Sequence, residues 1–331
     1  MKTSFIYLAA ALILSVVVGC DKKKEFITAE GSIWHTGFHV SYESDKDLSD
    51  SIIAELGKVE RSVSVFTPSS LVCAVNAAEE SYTVDAIFEK VYNASVSIWK
   101  ESGGYFDPTL SPLINAYGFG KDKTPRESLE QAETDSILEF VGIDKTRLDG
   151  GKLLKQHPLI QFNFSAIAKG YGCDAVGEML KRNGCGNYMV EIGGEVAVAG
   201  QSPSGKDWQI QIDKPVFSAD TIVHEAQEVI AVTDCGIATS GNYRNYRIDE
   251  NGNKYGHTFD PHTGKPAVTD LLSATVVMPT CMEADGYATA CMAMGFEKAR
   301  EMATKLGLKV MLVAGTGEVW SSDGFKQLIV K

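Results

Sequence analysis

The stretch CMEADGYATACMAMG, residues 281–295, places Asp285 and Thr289 four positions apart. On a helix those two positions share one face, so a carboxylate and a hydroxyl point the same way. The pair could cap or pack a helix. It could equally offer half an oxygen shell to Mg²⁺, which takes oxygen ligands and often completes its shell with water and substrate phosphate. A second stretch, FNFSAIAKGYGCD (162–174), reads as a strand end, a turn of small residues and a helix start. Free N–H groups and the helix dipole make such a start hospitable to anions. Lys169 lies in that first turn, where the dipole disfavours a cation. A phosphate partner would account for it, and so would plain solvation.

Three other segments carry polar and aromatic side chains in suggestive combinations. GHTFDPHTGKP (256–266) holds His257 and His262 around an Asp-Pro turn. A loop histidine can serve as a general base near neutral pH, while Pro261 argues against a helical zinc motif. GGYFDPTLSPL (103–113) sets Tyr105 and Phe106 beside Asp107, which suits a planar base or a structural corner made by Pro108 and Pro112. ATSGNYRNY (238–246) could cup a heterocycle or form a turn and an edge strand. There is no Walker A pattern, no GxSxG elbow and no GxGxxG after a strand; IGGEVAVAG reads as a strand pair broken by glycine.

The elements that must position these residues mix without a regular βαβ rhythm, which predicts an α+β fold. Alternation predicts one strand over 32–43, then a helix over 46–65. The Pro68 region, residues 69–76 and SPLIN (111–115) read as loop, and a strong amphipathic helix lies between them, ending at Gly103-Gly104. Short helical segments are expected over 125–142, and a hairpin through Gly150-Gly151. A helix capped by Ser165 runs to Gly184. Strands follow in 187–200, 207–214 and 228–234, with a hairpin through Asn251-Gly252. After a strand ending at Met278, one helix to about 306 and two closing strands, the last in FKQLIV, complete the chain.

The bulk properties narrow the function. Net charge is −12 over 331 residues, so non-specific nucleic-acid binding is excluded as a function class. An acidic protein that handles phosphates needs a local cation. The first residues, a lysine followed by an apolar run ending in VVGC, read as a secretory signal that stops at a lipobox. Residues 1–19 are then a lipoprotein signal peptide, 20–30 a tether with lipid on Cys20, and 31–331 one domain. The other six cysteines show neither CxxC nor zinc-ribbon spacing and read as buried small hydrophobes.

Together these stretches resemble the ApbE family of extracytoplasmic, often lipid-anchored flavin transferases (FAD:protein FMN transferases). The resemblance runs from about residue 31 to the C-terminus through SVFTPSSLVCAVN, GGYFDPTLSPL, YGFG, FSAIAKGYGCD, EIGGEVAVAG, ATSGNYRNY, HTFDPHTGKP and EADGYATACMAMG. It implies mixed, T-fold-related sheets with flanking helices and FAD in a cleft between two subdomains. It implies that the Ala166 carbonyl, Asp285 and Thr289, with help from the Ala288 position, hold Mg²⁺. Lys169 would lie near FAD, and Tyr105, Phe106 and Asp107 at its adenine end. Trp34, Phe66 and Asn163 stand where many relatives carry Met, Tyr and Asp, and Phe259 follows the family histidine, His257. The implied reaction moves the FMN half of FAD to a threonine hydroxyl of a partner protein, with His257 as base. A metal-dependent FAD pyrophosphatase and a non-catalytic FAD-binding lipoprotein are the alternatives. Implied acceptors are flavin-bearing subunits of a Na⁺-pumping NADH:quinone oxidoreductase (Nqr-type) or an Rnf-type complex. Asp21 after Cys20 points to an extracytoplasmic, lipid-anchored position at the inner membrane.

Overall fold

A computed structural model describes residues 24–119, 129–215, 225–241, 246–248, 254–256 and 258–331. The expected signal segment, Cys20 and His257 lie outside the described residues. The first element is a hairpin. β1 (Glu25–Ile33) pairs antiparallel with β2 (Thr36–Ser44) around Trp34 and His35, both at positive φ (50° and 63°). The sequence predicts a single strand here because such turns normally read as Asn-Gly. Pairing in this hairpin begins at Glu25.

α1 (Ser49–Val63) forms as expected. α2 (Leu71–Ala77) replaces an expected loop; Ser70 caps it by accepting the Cys73 N–H at 3.3 Å. Seven residues are too few for a helical period to stand out. β3 (Ser81–Thr83) precedes α3 (Ala86–Glu101), which Asp85 caps through the Phe88 N–H. The short helices α4 (Ser111–Ala116) and α5 (Gln131–Leu138) lead to the expected hairpin of β4 (Thr146–Asp149) and β5 (Lys152–Lys155), with β3 on the far edge of β5.

α6 (Ala168–Arg182) begins later than a Ser165 cap requires, and no side chain of its own N-cap residue, Ile167, serves it. Then come β6 (Tyr188–Ile192), β7 (Glu195–Ala199), β8 (Trp208–Asp213), β9 (Ala226–Val232) and β10 (Cys235–Gly241). β11 (Tyr246–Ile248) and β12 (Lys254–Gly256) pair, as do β13 (Phe259–Asp260) and β14 (Lys265–Pro266). β15 (Leu271–Met278) leads into α7 (Cys281–Met294). α8 (Phe296–Leu306) is separate from it because Gly295, at φ 80°, breaks the expected single helix. β16 (Lys309–Ala314) and β17 (Val319–Ser321) follow; the expected last strand is instead α9 (Asp323–Lys326) and an isolated bridge from Ile329 to Ile230.

Among the described residues, eight strands make one antiparallel sheet in the order β1-β2-β6-β7-β10-β15-β16-β17. The sheet is covered on both faces at its centre, so every residue of β7 is buried. Ala197 and Ala199 pack with α1 and α6, whereas Val196 and Val198 pack with the β8–β9 hairpin and Phe325. By the period of two, Glu195 points to the helical side with Ala197. A third core joins α3, α7 and α8 to β15 and β16. These burials bring the start of α6, the middle of α7 and the first residue of β7 to one place.

Candidate active site

The site forms where α6 meets α7, and glycines permit that approach. A Cβ on Gly170 would lie 2.3 Å from the Cys281 carbonyl oxygen and 2.9 Å from the Asp285 Cβ. A Cβ on Gly236 of β10 would meet the Cys281 backbone at 2.1 Å. The Gly170 N–H, in the first turn of α6, donates to Asp285 Oδ2 at 3.0 Å. Asp285 therefore answers one of the orphan donors that α6 leaves at its start. α7 has its own local cap, in which Thr280 accepts the Glu283 N–H.

Asp285 and Thr289 do share a face of α7, and that face looks onto the turn before α6. The Thr289 hydroxyl donates to the Ala166 carbonyl at 3.5 Å and lies 3.5 Å from Ser240 Oγ of β10. The turn itself is shaped by Asn163, whose Oδ1 accepts the Ser165 N–H at 2.9 Å and whose own N–H donates to the Pro108 carbonyl. Lys169 Nζ sits 2.6 Å from Glu195 Oε1 and 3.9 Å from Asp285 Oδ1. Burial pulls the Lys169 ammonium down, but Asp285 and Glu195 outweigh it and hold it above the ordinary lysine range. Burial pushes the Glu195 carboxyl up to about 7 against the pull of Lys169, and raises Asp285 as well. Two carboxylates face one ammonium, so the cluster carries an uncompensated negative charge when all are ionised.

These residues line a cavity of about 490 Å³. Ala166, Lys169, Glu195, Asp285 and Thr289 make its polar end. Phe66, Phe119 and Phe259 give it flat apolar walls. Phe259 is buried and meets Tyr117 and Phe119 edge-on, while Phe66 is half exposed and its ring meets His35 edge-on. Tyr105, Phe106, Asp107 and Asn163 also reach the wall. Tyr105 is held between His262, with ring centroids 4.5 Å apart, and Lys298. Asp107 already accepts three hydrogen bonds, from the Thr109 N–H and hydroxyl and from the Ile143 N–H.

Two residues of the sequence-based set stand outside this wall. The Trp34 indole packs on Gly172 of α6, where a Cβ would lie 2.6 Å from it, and its Nε1–H has no partner among the described residues. Ala288 is fully buried in the core behind α7. Sequence reasoning missed Glu195 and Ser240. Glu195 had a legible signal, an acid on the same strand face as the buried Ala197 and Ala199. Ser240 had none.

The ApbE family model matches residues 32–312. The chain belongs to the ApbE family. The FAD:protein FMN transferase of Haemophilus influenzae is 36% identical to this member, aligned over 97% of this chain and 96% of the relative. That of Vibrio cholerae is 32% identical over 99% and 96%. The solved flavin transferase ApbE of Vibrio cholerae superposes with a TM-score of 0.83 at 31% identity, covering 92% of this chain and 99% of that one. The apo flavinyl transferase ApbE of Pseudomonas stutzeri gives 0.84 at 29%, covering 92% and 97%. These likenesses agree with the mixed sheet and flanking helices of this ApbE-family chain.

The site chemistry fits a divalent cation used together with a substrate. Among the described residues no three His, Cys, Asp or Glu side chains cluster as a metal site. What converges instead is one carboxylate, one hydroxyl and one backbone carbonyl, an oxygen-only partial set that leaves positions for phosphate.

Proposed function

We propose that this chain transfers the FMN half of FAD to a threonine hydroxyl of an acceptor protein, forming a phosphoester and releasing AMP. The observation that carries the reading is the convergence of Ala166 O, Asp285, Thr289 and Lys169 at one end of an aromatic-walled cavity. Relatives that align over nearly the whole chain are named for this reaction.

The Ala166 carbonyl, Asp285 and Thr289 would hold Mg²⁺, which when bound supplies positive charge to the diphosphate. Lys169 offers its ammonium to phosphate oxygens from the start of α6, where backbone N–H groups also favour anions. Phe66, Phe119 and Phe259 cover ring faces and exclude water from one side. The acceptor oxygen bonds to the FMN-side phosphorus as the bond from that phosphorus to the AMP oxygen breaks. His257, outside the described residues, is the proposed acceptor of the hydroxyl proton. The acceptors proposed are flavin-bearing subunits of extracytoplasmic redox complexes of the Nqr or Rnf type, reached from a lipid anchor on Cys20.

The test is intact-mass analysis of a candidate acceptor after incubation with the protein, FAD and Mg²⁺. A mass gain equal to FMN, lost when the acceptor threonine becomes valine, supports the reading. FMN and AMP accumulating without labelled acceptor would make the chain a pyrophosphatase, and FAD recovered intact would make it a binding protein.

A further inference from the structure

Among the described residues, Glu195 is the site carboxylate with a fully buried oxygen that has no hydrogen-bond partner. It is 4% exposed, and its Oε1 is engaged by Lys169 at 2.6 Å. Its Oε2 is buried and has no partner among the described residues, yet the side chain forms part of the cavity wall. A buried carboxylate oxygen without a donor is costly, and an ionised carboxylate can only accept. In the ionised form that pairs with the Lys169 ammonium at 2.6 Å, the missing partner is therefore a donor. Phosphate oxygens cannot be that donor, since a diphosphate is itself an acceptor at neutral pH. An apolar ring face cannot either.

The fixed position of the carboxylate narrows the donor further. Lys169 holds one oxygen while standing 3.9 Å from Asp285, so Glu195 lies one side chain away from where phosphate is proposed to bind. Gly193 and Gly194, at φ 63° and 104°, turn the chain immediately before it and leave open space beside Gly194. A group that reaches Oε2 must be attached close to the phosphate, and in a flavin dinucleotide or an alcohol acceptor the donors attached there are O–H groups.

We infer that Glu195 is a substrate-binding residue whose Oε2 accepts a hydrogen bond from an alcohol O–H next to the reacting phosphate. This rests on the reading that a flavin dinucleotide fills the cavity. The alcohol has two sources, the sugar-alcohol chain of the nucleotide or the incoming acceptor hydroxyl. Glu195 contributes in either case by fixing an oxygen beside the phosphorus, with Lys169 as its anchor.

The test compares the wild type with Glu195→Gln and Glu195→Ala in EDTA, after thermal melts establish that each variant is folded. FAD binding is read by flavin fluorescence, and inorganic pyrophosphate, a diphosphate without any alcohol, is titrated as competitor. If the donor is on the nucleotide, Glu195→Ala weakens FAD about tenfold, while pyrophosphate affinity holds or improves because a negative charge has gone. If the donor is the acceptor, FAD affinity stays within twofold, and with Mg²⁺ the KM for acceptor protein rises about tenfold. FAD and pyrophosphate weakening in parallel would mean that Glu195 merely holds Lys169, and would overturn the inference. So would variants matching the wild type in FAD affinity and acceptor KM. A wild type that binds no FAD would instead sink the functional reading itself.

Discussion

Asp174 and Asp285 cap each other's helices. Asp174, on α6, accepts the N–H groups of Cys281 and Met282 at the start of α7, both at 2.9 Å. Asp285, on α7, accepts the N–H of Gly170 in the first turn of α6 at 3.0 Å. Each helix thus supplies a carboxylate to the orphan N–H groups at its neighbour's start, in keeping with the dipole preference for anions there. The two look alike, but only Asp285 also faces Lys169 and the cavity.

That division predicts different failures. Asp174→Ala leaves two N–H groups without an acceptor and should lower unfolding free energy by about 1–3 kcal/mol. Asp174→Asn keeps one acceptor oxygen and should cost less. Both variants should retain transfer activity per folded molecule. Urea unfolding measures the first effect, and acceptor labelling at a temperature where the variants are folded measures the second. A stable but inactive Asp174→Ala protein would contradict the division.

Asp285→Asn should show the opposite pattern. An amide oxygen can still accept the Gly170 N–H, so the melting temperature should fall by only a few degrees. The charge facing Lys169 and the proposed cation is lost, and transfer should drop about 10²-fold or more. Thr289→Val should likewise raise the Mg²⁺ concentration needed for half-maximal rate about tenfold, whereas Thr289→Ser, which keeps the oxygen, should stay near wild type. Mg²⁺ titration after EDTA treatment reads both. Equal Mg²⁺ requirements for the valine and serine variants would remove Thr289 from the cation site.

Much of this site was legible in the sequence because it rests on local periodicity. Asp285 and Thr289 are one turn apart, and a turn apart on α7 means one face. Lys169 at a helix start is an anomaly in the sequence, and Glu195 and Asp285 account for it in the structure. The illegible parts are non-local. Nothing near Gly170 in the chain announces Cys281 packed against it, and nothing in Trp34-His35 announces a left-handed turn. Ser165 looked like a cap by composition. The cap on α6 comes instead from more than a hundred residues downstream, a partner that spacing cannot reveal. The single helix expected to 306 failed for a simpler reason: Gly295 takes a positive φ, and a glycine inside an apolar periodic run does not declare whether it will.

Gly170→Ala tests the helix contact without removing any polar group. Its new methyl would meet the Cys281 carbonyl oxygen at 2.3 Å and the Asp285 Cβ at 2.9 Å, and the first is backbone that cannot swing away. Relief requires α6 and α7 to part, which should cost about 1–3 kcal/mol in stability. Because parting also separates Asp285 from Lys169 and Thr289 from the Ala166 carbonyl, transfer should fall more than stability alone explains. Denaturant midpoints and labelling rates on the same preparation check this. A variant with wild-type stability would show that the two helices are not closely pressed.

The cysteines give a pH-dependent prediction that is independent of the reaction. Cys173, Cys185, Cys281 and Cys291 are buried, while Cys73 and Cys235 are partly exposed. Burial pushes the Cys291 thiol up to about 12 and the Cys235 thiol up to about 11. Only the thiolate reacts with an alkylating agent, so iodoacetamide at pH 8 should leave Cys291 unlabelled in the folded protein and label it on addition of denaturant. The same shift has a stability consequence. Unfolding returns the Cys291 thiol to an ordinary value near 9.0, so above that pH the unfolded chain releases its proton first. The favourable contribution of the neutral buried thiol is complete below pH 9 and is lost as pH rises toward 12. Cys291→Ala should abolish that part of the alkaline decline in urea-unfolding free energy while costing some packing at every pH. Rapid labelling of Cys291 in the folded protein at pH 8, found by peptide mass mapping, would show that α7 opens far more readily than its burial against α3 and β15 allows.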